Sequence, residues 1–164
     1  MKYTLTLILL FLFSYCLTAC KTPSLIESFS TQFGLMHFVK SVEFNGEDGS
    51  VEFDFTYRAN DTMQVTCNFT IQSKSNEIYA IQRAFFQSDN ATLTLDSLKL
   101  MFATRSANTA RYTSLMTKDA FRTLFTSKSA TFTVQGNRQT LRYNGGKSFE
   151  ENAKAVRLDV LNLP

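Results

Sequence analysis

The chain has 164 residues, of which 44% are hydrophobic, and its 17 basic and 14 acidic residues leave a net charge of +3. This balance is too small to predict nucleic-acid binding, since no run of Lys or Arg concentrates it. The length suits one domain with its own core, and 16 Phe residues with no Trp indicate that Phe dominates that core.

The N-terminal segment has the pattern of a secretory leader. After Lys2, the apolar run from Leu5 to Leu17 covers about 13 residues, which suits a leader and is too short for a membrane-spanning helix of about 20 residues. An ordinary leader cut after Ala19 would carry a small residue two positions earlier, where this chain has Leu17. That mismatch disfavours ordinary cleavage.

The end of this segment has a recognisable motif. Leu17-Thr18-Ala19-Cys20 resembles the lipobox of bacterial lipoprotein precursors, which consists of an aliphatic residue, two small residues and a cysteine. The resemblance implies that residues 1–19 are a signal peptide and that Cys20 is lipidated. Residues 20–24 would form a lipidated tether, and residues 25–164 a single β-rich domain. Acyl chains, at about 0.8 kcal/mol per buried CH₂, would hold the protein on its membrane.

The lipoprotein resemblance also implies a location. Residue 21 is Lys rather than the Asp that marks inner-membrane retention in some bacteria, which implies a lipid-anchored protein of the cell envelope, at the periplasmic or outer side of the outer membrane. The mature domain is similar only in kind to the small uncharacterised lipoproteins of Gram-negative envelopes. Cys16 would leave with the leader and Cys20 would be acylated. Cys67 would then be the single thiol, so no intrachain disulfide is expected.

The first predicted element of the mature chain is a helix. Ser24 and Glu27 are spaced as in a capping box, and Gly34 stands where a helix would end. Apolar residues recur every four positions between them: Leu25, Phe29 and Phe33. The pattern predicts a short amphipathic helix over 25–33, which packs against the domain or lies on the membrane surface.

Two strands follow, at 37–44 and 51–57, in which apolar and polar residues alternate around a polar turn. If Asn45 pairs with Ser50, the apolar residues of the two strands fall opposite one another. The expected pairs are Phe44–Val51, Val42–Phe53 and Phe38–Tyr57. In that register Lys40 is the one misfit, because it faces an aromatic residue.

Further alternation predicts strands at 63–71, 78–86 and 93–102. A phase slip at Asp96-Ser97 in the last of these indicates a bulge. The strand at 78–86 is apolar on both faces, so we expect it either to be central and covered by a helix or to expose a partner-binding patch. That patch would consist of Tyr79, Ile81 and Phe85.

The C-terminal part alternates between strands and helices. A short strand at 112–115 precedes a helix that Thr117 caps, and a hairpin turns at Gly136-Asn137. A second capping box at Ser148 predicts a C-terminal helix. The fold class is therefore α+β: a mainly antiparallel, curved or barrel-like sheet with a short N-terminal helix, one inserted helix and a C-terminal helix.

The sequence contains few of the residues that catalysis uses. His37 is the only histidine, so neither a His-based triad nor a His-rich zinc site is predicted. Residues 145–148 (Gly-Gly-Lys-Ser) resemble the end of a phosphate-binding loop, but residue 141 is Leu where that motif needs Gly. Cys67 falls in a core row, where it serves as a small apolar side chain. No cofactor, metal or catalytic residue is predicted.

One cluster of acidic residues has the composition of a cation site or of an acid–base pair. The expected register places Glu43 opposite Glu52 on the outward face, with Asp54 two residues along. Opposed carboxylates repel one another unless a cation or an Arg relieves them. The cluster is therefore a cation site or an acid–base pair with one raised pKa, or else a solvated face with Arg83 or another base nearby.

Two classes of function remain ahead of catalysis. The first is a non-catalytic interaction or structural module that binds an envelope protein, and the alternative is a carrier that encloses an apolar small molecule or lipid. A closed cavity lined by Phe would favour the carrier, and a filled core with an exposed apolar patch would favour the module. An enzyme would need a polar cleft that collects Glu43, Glu52 and Asp54.

Overall fold

The structure, a computed structural model, describes residues 25–60, 64–89 and 91–162. The predicted leader (1–19), the lipidation site Cys20 and the tether (20–24) lie outside the described residues. Within these described ranges the chain forms ten strands: β1 (Ile26–Thr31), β2 (Gly34–Gly46), β3 (Gly49–Arg58), β4 (Gln64–Ser73), β5 (Arg83–Ser88), β6 (Ala91–Thr94), β7 (Asp96–Thr104), β8 (Thr109–Thr117), β9 (Ala130–Gln135) and β10 (Thr140–Asn144). The helices are α1 (Lys118–Thr126) and α2 (Gly146–Asp159), with 3₁₀ turns at Asn76–Tyr79 and Arg105–Ala107.

The strands form one antiparallel sheet that nearly closes into a barrel. Its order is β6-β5-β9-β10-β2-β3-β4-β8-β7, and β1 pairs with β2 beside this path. The two outer strands, β6 and β7, are consecutive in sequence and are separated by Leu95 alone. One residue cannot cross an open sheet, so the sheet must curl until its two ends meet at this corner. The predicted α+β class with a barrel-like sheet is confirmed, with one inserted and one C-terminal helix.

The predicted bulge lies at this corner. Ser97 has a φ of 54°, and the β7–β8 register shifts between Asp96 and Lys99. The bulge predicted at Asp96-Ser97 is therefore confirmed within β7, but the predicted strand at 93–102 is divided one residue earlier, at Leu95, into β6 and β7.

The N-terminal helix prediction is wrong. Residues 26–31 form β1, which pairs antiparallel with 34–39 of β2. The capping-box residue Glu27 instead forms an ion pair with Lys40 on the neighbouring strand. Ser and Thr residues in this segment favour helix interiors only weakly, and pairing with β2 satisfies their backbone groups. Phe29 and Phe33, which share a face in the predicted helix, are left exposed by the hairpin.

The β2–β3 register is partly as predicted. Asn45–Ser50, Phe44–Val51 and Val42–Phe53 are confirmed, but Phe38 faces Thr56 rather than Tyr57. A register shift between Val39 and Val42, where Ser41 has a φ of 53°, accounts for the difference. This bulge removes the Lys40 misfit, because Val39 takes the buried position opposite Phe55.

Two further boundaries differ from prediction. The 78–86 strand is split into a 3₁₀ turn, which Ser75 caps, and β5. The helix α2 begins at Gly146, with Gly145 as its cap, so Ser148 lies inside the first turn rather than capping it. The Thr117 cap of α1 is confirmed, since its Oγ1 accepts a 3.1 Å hydrogen bond from the Ala120 backbone N–H.

Phe side chains fill the interior of the barrel. The ring of Phe53, which is fully buried, has its centroid 4.8 Å from that of Phe132, 5.0 Å from Phe86 and 5.1 Å from Phe44. Both helices add rings to the same cluster. These rings are Phe121 and Phe125 of α1 and Phe149 of α2.

Candidate functional site

Two of the three acidic residues of the cluster, Glu43 and Glu52, lie on one row of side chains across the outside of the sheet. Glu43 of β2 faces Glu52 of β3, as predicted, and Glu52 faces Thr70 of β4. Thr70 faces Arg111 of β8, which in turn faces Phe102 of β7. We call these five residues the outward row. It runs from the predicted carboxylates to the free edge of the sheet.

Internal partners satisfy the carboxylate that is least exposed. Asp54, whose side chain is 14% exposed, forms an ion pair with Arg111 and accepts a 2.7 Å hydrogen bond from the Asn68 side-chain amide. Arg111 also donates to Thr70 Oγ1 at 2.7 Å. Its guanidinium is thereby fixed between β3 and β4. Arg111 thereby supplies a positive charge to Asp54, whereas no ion pair among the described residues involves the opposed carboxylates of Glu43 and Glu52.

Arg111 is the other base that the sequence prediction left open beside Arg83. Arg83 lies on β5, with β9, β10 and β2 between it and β3, so it is not the base beside the cluster. Glu52 accepts a 2.9 Å hydrogen bond from the Ser41 hydroxyl at the β2 bulge. Among the described residues, no group of three or more His, Cys, Asp and Glu side chains has the geometry to hold a metal ion.

His37 is part of the packing between β1 and β2. Its ring is buried, and Ser28 Oγ lies 2.8 Å from Nδ1. Burial lowers the pKa of His37 below its usual 6.5, and the carboxylate of Asp159 at the end of α2 acts in the opposite direction. The ring is therefore neutral at pH 7 and accepts or donates one local hydrogen bond.

Cys67 lies in the core, as the alternation in β4 predicts. Its side chain is fully buried, and burial raises the pKa of the thiol. A protonated, inaccessible thiol is a poor nucleophile. The Gly-Gly-Lys-Ser stretch at 145–148 begins α2, where Lys147 pairs with Glu151 at 3.7 Å.

The predicted patch at Tyr79, Ile81 and Phe85 is half-buried instead of exposed. The hydroxyl of Tyr112 donates to the Ile78 carbonyl at 2.8 Å and accepts from the Ile81 backbone N–H at 3.3 Å. These bonds hold the 3₁₀ segment against β8. Tyr79 and Ile81 then pack on the core.

Exposed apolar side chains are concentrated on β7 instead. Leu100, Met101 and Phe102 are 40%, 54% and 50% exposed. The register of β7 shifts between Leu100 and Phe102, so Leu100 faces Tyr112 on the core side and Phe102 faces Arg111 on the outward side. The bulge therefore presents apolar side chains on both faces of one edge strand. The signal in the sequence is the run Leu98-Lys99-Leu100-Met101-Phe102, which alternation places in the predicted strand at 93–102 without indicating its exposure.

A second exposed apolar group surrounds the turn between β1 and β2. Phe29, Phe33 and Leu35 are 45%, 76% and 45% exposed. We call these three residues the hairpin tip. Sequence reasoning identified Phe29 and Phe33 but placed them on a helix.

No protein-family model, curated protein or solved structure matches this chain. Its function therefore has to be argued from its own surfaces. Among the described residues, no helix is long and apolar enough to cross a membrane.

Proposed function

We propose that this chain is a lipid-anchored protein of the bacterial cell envelope that binds a partner protein and does not catalyse a reaction. The lipobox at 17–20 supports the anchor on Cys20, and Lys at position 21 supports an outer-membrane location. The observation that carries the interaction role is the exposed, apolar edge strand β7.

The strand β7 has the properties of a docking edge. It covers nine residues and, among the described residues, pairs with β8 alone, so its other side presents unpaired backbone groups. Natural sheets usually protect such edges with charges, proline or short strands. Here the charges Asp96 and Lys99 lie in the first half, and residues 100–104 carry none.

The mode of binding follows from this edge. An extended segment of the partner adds to the sheet beside residues 100–104, where backbone hydrogen bonds supply affinity and side-chain contacts supply selectivity. Leu100 and Phe102 face opposite sides of the strand, so the partner segment needs apolar residues that reach both. Burial of these side chains removes apolar surface from water and favours the complex.

The alternative carrier function requires room inside the barrel. Buried rings occupy that interior at centroid distances of 4.7–6.0 Å, which is the spacing of packed aromatic pairs. A cavity of about 510 Å³ lies outside the barrel, at the β2–β3 turn, and is lined by polar turn residues. These observations favour the module over the carrier.

The test is site-specific photo-crosslinking in intact cells of the source bacterium. A photoreactive residue at Met101 is expected to capture one protein partner, and the mapped peptide should be an extended apolar segment. The matched control is the same residue at Thr94, which is exposed on the short edge strand β6. The double substitution Leu100→Ser and Phe102→Ser should remove the crosslink at 101.

Two results would overturn this proposal. Equal capture from 94 and 101 would mean that the crosslinks report crowding rather than docking. Extraction of a stoichiometric lipid or other apolar molecule from the purified protein, with no crosslink at 101, would support the carrier function instead.

A further inference from the structure

The hairpin tip has apolar side chains on both faces of the hairpin and in its turn, where the exposed Thr31 and Gln32 are polar. Phe29 lies opposite Met36 on the outward face, and Leu35 lies on the other face, which it shares with the buried Val39. Leu35 extends past the core and is 45% exposed. Phe33, in the turn itself, is 76% exposed. A protein partner normally covers one face of such a hairpin, whereas a bilayer surrounds an inserted tip.

Local hydrogen bonds hold the tip in this conformation. The side-chain amide of Asn60 donates to the Phe33 carbonyl at 3.1 Å, and the Ala59 backbone N–H donates to the Leu35 carbonyl at 2.9 Å. Thr31 Oγ1 donates to the Gly34 carbonyl at 2.7 Å. Gly34 has a φ of +107°, and a side chain there would collide with Asn60. The aromatic side chain of Phe33 is therefore presented by an ordered turn.

The tip is within reach of the proposed lipid anchor. The chain from Cys20 to Leu25 extends at most about 18 Å, at roughly 3.6 Å per residue. From Leu25 along β1 to Thr31, the rise is about 20 Å at roughly 3.4 Å per residue. These two lengths are similar, so the tether can return along β1 and leave Cys20 and the tip at the same depth in one bilayer.

Basic groups flank the same end of the molecule. Arg58 of β3 lies opposite Met36 and is exposed. Lys118 at the start of α1 donates to the Ala59 carbonyl at 3.0 Å, with its ammonium 4.6 Å from the Tyr57 ring centroid. Acidic groups lie near this end as well. Glu27 is paired with Lys40, and the carboxylate of Asp159 opposes the lowering of the His37 pKa by burial. Asp61 and Asp119 follow Asn60 and Lys118 in the sequence. Cations next to an apolar tip suit a surface that contains anionic phospholipid.

From this arrangement we infer that the hairpin tip inserts into the interface of the phospholipid bilayer to which Cys20 is anchored. The inference rests on the lipid anchor of the proposed function. It gives the domain a fixed orientation, in which β1 and the start of β2 face the lipid. Strand β7 is then left free for a protein partner.

The experiment uses the full lipidated chain, purified from membranes and reconstituted into vesicles of phosphatidylethanolamine and phosphatidylglycerol. Phe33→Cys carries an environment-sensitive fluorophore, and Met101→Cys on β7 is the matched control. Cys67 is fully buried and stays unlabelled. We expect a blue-shifted emission at 33 that nitroxide-labelled lipids quench several-fold more strongly than the emission at 101.

Flotation of the same vesicles distinguishes the absence of a lipid anchor from the failure of the hairpin tip to insert. If the protein floats with the vesicles while the label at 33 stays as water-exposed as that at 101, the tip does not insert, although the anchor stands. Equal quenching at both positions also contradicts insertion of the tip. A shift at 33 that appears only after a membrane-protein extract is added identifies a protein occupant instead of lipid. Failure of the wild-type chain to float removes the anchor, and the inference with it.

Discussion

The protonation of His37 makes the free energy of unfolding depend on pH. Burial lowers the pKa of its ring below 6.5, while in the unfolded chain the ring titrates near 6.5. As the pH falls below about 6.5, the unfolded chain therefore binds a proton before the folded chain does, and the free energy of unfolding decreases. Urea denaturation at pH 7.5 and at pH 5.5 should show this loss.

The substitution His37→Gln tests the origin of that pH dependence. Gln keeps a polar partner for Ser28 but does not titrate, so the dependence between pH 7.5 and 5.5 should largely disappear. Most carboxylates titrate below this window. An equal loss of stability in the variant would show that another group is responsible.

Asp54 and Arg111 form the second residue-scale prediction. Both side chains are partly buried, at 14% and 26% exposure, so their ion pair should contribute more than the median surface pair. In a double-mutant cycle with Asp54→Asn and Arg111→Met, we expect a coupling energy of about 1 kcal/mol from urea denaturation. Arg83→Met is the matched control and should change stability by less than about 0.5 kcal/mol. A coupling energy near zero would mean that the pair is solvated.

At the scale of elements, the sequence predicted the cap of α1 correctly and the cap of α2 wrongly. The Oγ1 atom of Thr117 caps α1, so Thr117→Ala should lower the free energy of unfolding by about 1 kcal/mol. Ser148 has the same sequence pattern but lies within the first turn of α2, so Ser148→Ala should have little effect. Thermal denaturation of both variants provides the comparison. Equal losses would place the start of α2 at Ser148.

The local sequence pattern predicts the wrong secondary structure where pairing between strands determines it. The spacing of Phe29 and Phe33 fits a helix, but the neighbouring strand β2 offers six backbone partners to residues 26–31. Propensity is a weak prior against such pairing. The bulge at Ser41 was equally hidden, because its only signal was one basic residue in an apolar row.

The outward row illustrates the same limit for the candidate site. The opposition of Glu43 and Glu52 could be predicted because both lie on consecutive strands joined by a short turn. Arg111 is 57 positions from Asp54 in sequence. Their contact depends on the order of β3, β4 and β8, which alternation does not encode.

At the scale of the molecule, stability depends on the packed aromatic interior. Phe53 is fully buried, and its ring packs against those of several neighbours: Phe44, Phe55, Phe69, Phe86 and Phe132. Phe53→Ala should lower the free energy of unfolding by about 3–5 kcal/mol, because it removes apolar burial and leaves a cavity. Phe33→Ala, at the exposed tip, is the control and should change it by less than about 0.5 kcal/mol.

Chemical denaturation of the two variants also bears on the carrier alternative. A large loss for Phe53→Ala is expected from a filled core. A small loss would indicate that the interior already contains space, as a carrier requires.

Closure of the sheet could be anticipated only in outline. The count and alternation of strands predicted a curved sheet, but the meeting of β6 and β7 at Leu95 follows from the complete pairing order. That order leaves β7 as a long free edge. The surface on which the proposed partner binds is thus a property of the whole fold rather than of the run at 98–102.

The lipid on Cys20 is the claim on which the location, the partner and the orientation at the bilayer all depend. Intact-mass spectrometry of the protein purified from membranes of the cells that produce it naturally measures it directly. A lipid-anchored chain should begin at Cys20, lack residues 1–19, and carry the added mass of a diacylglycerol thioether. A retained leader, a different first residue or an unmodified Cys20 thiol would contradict the proposed anchor.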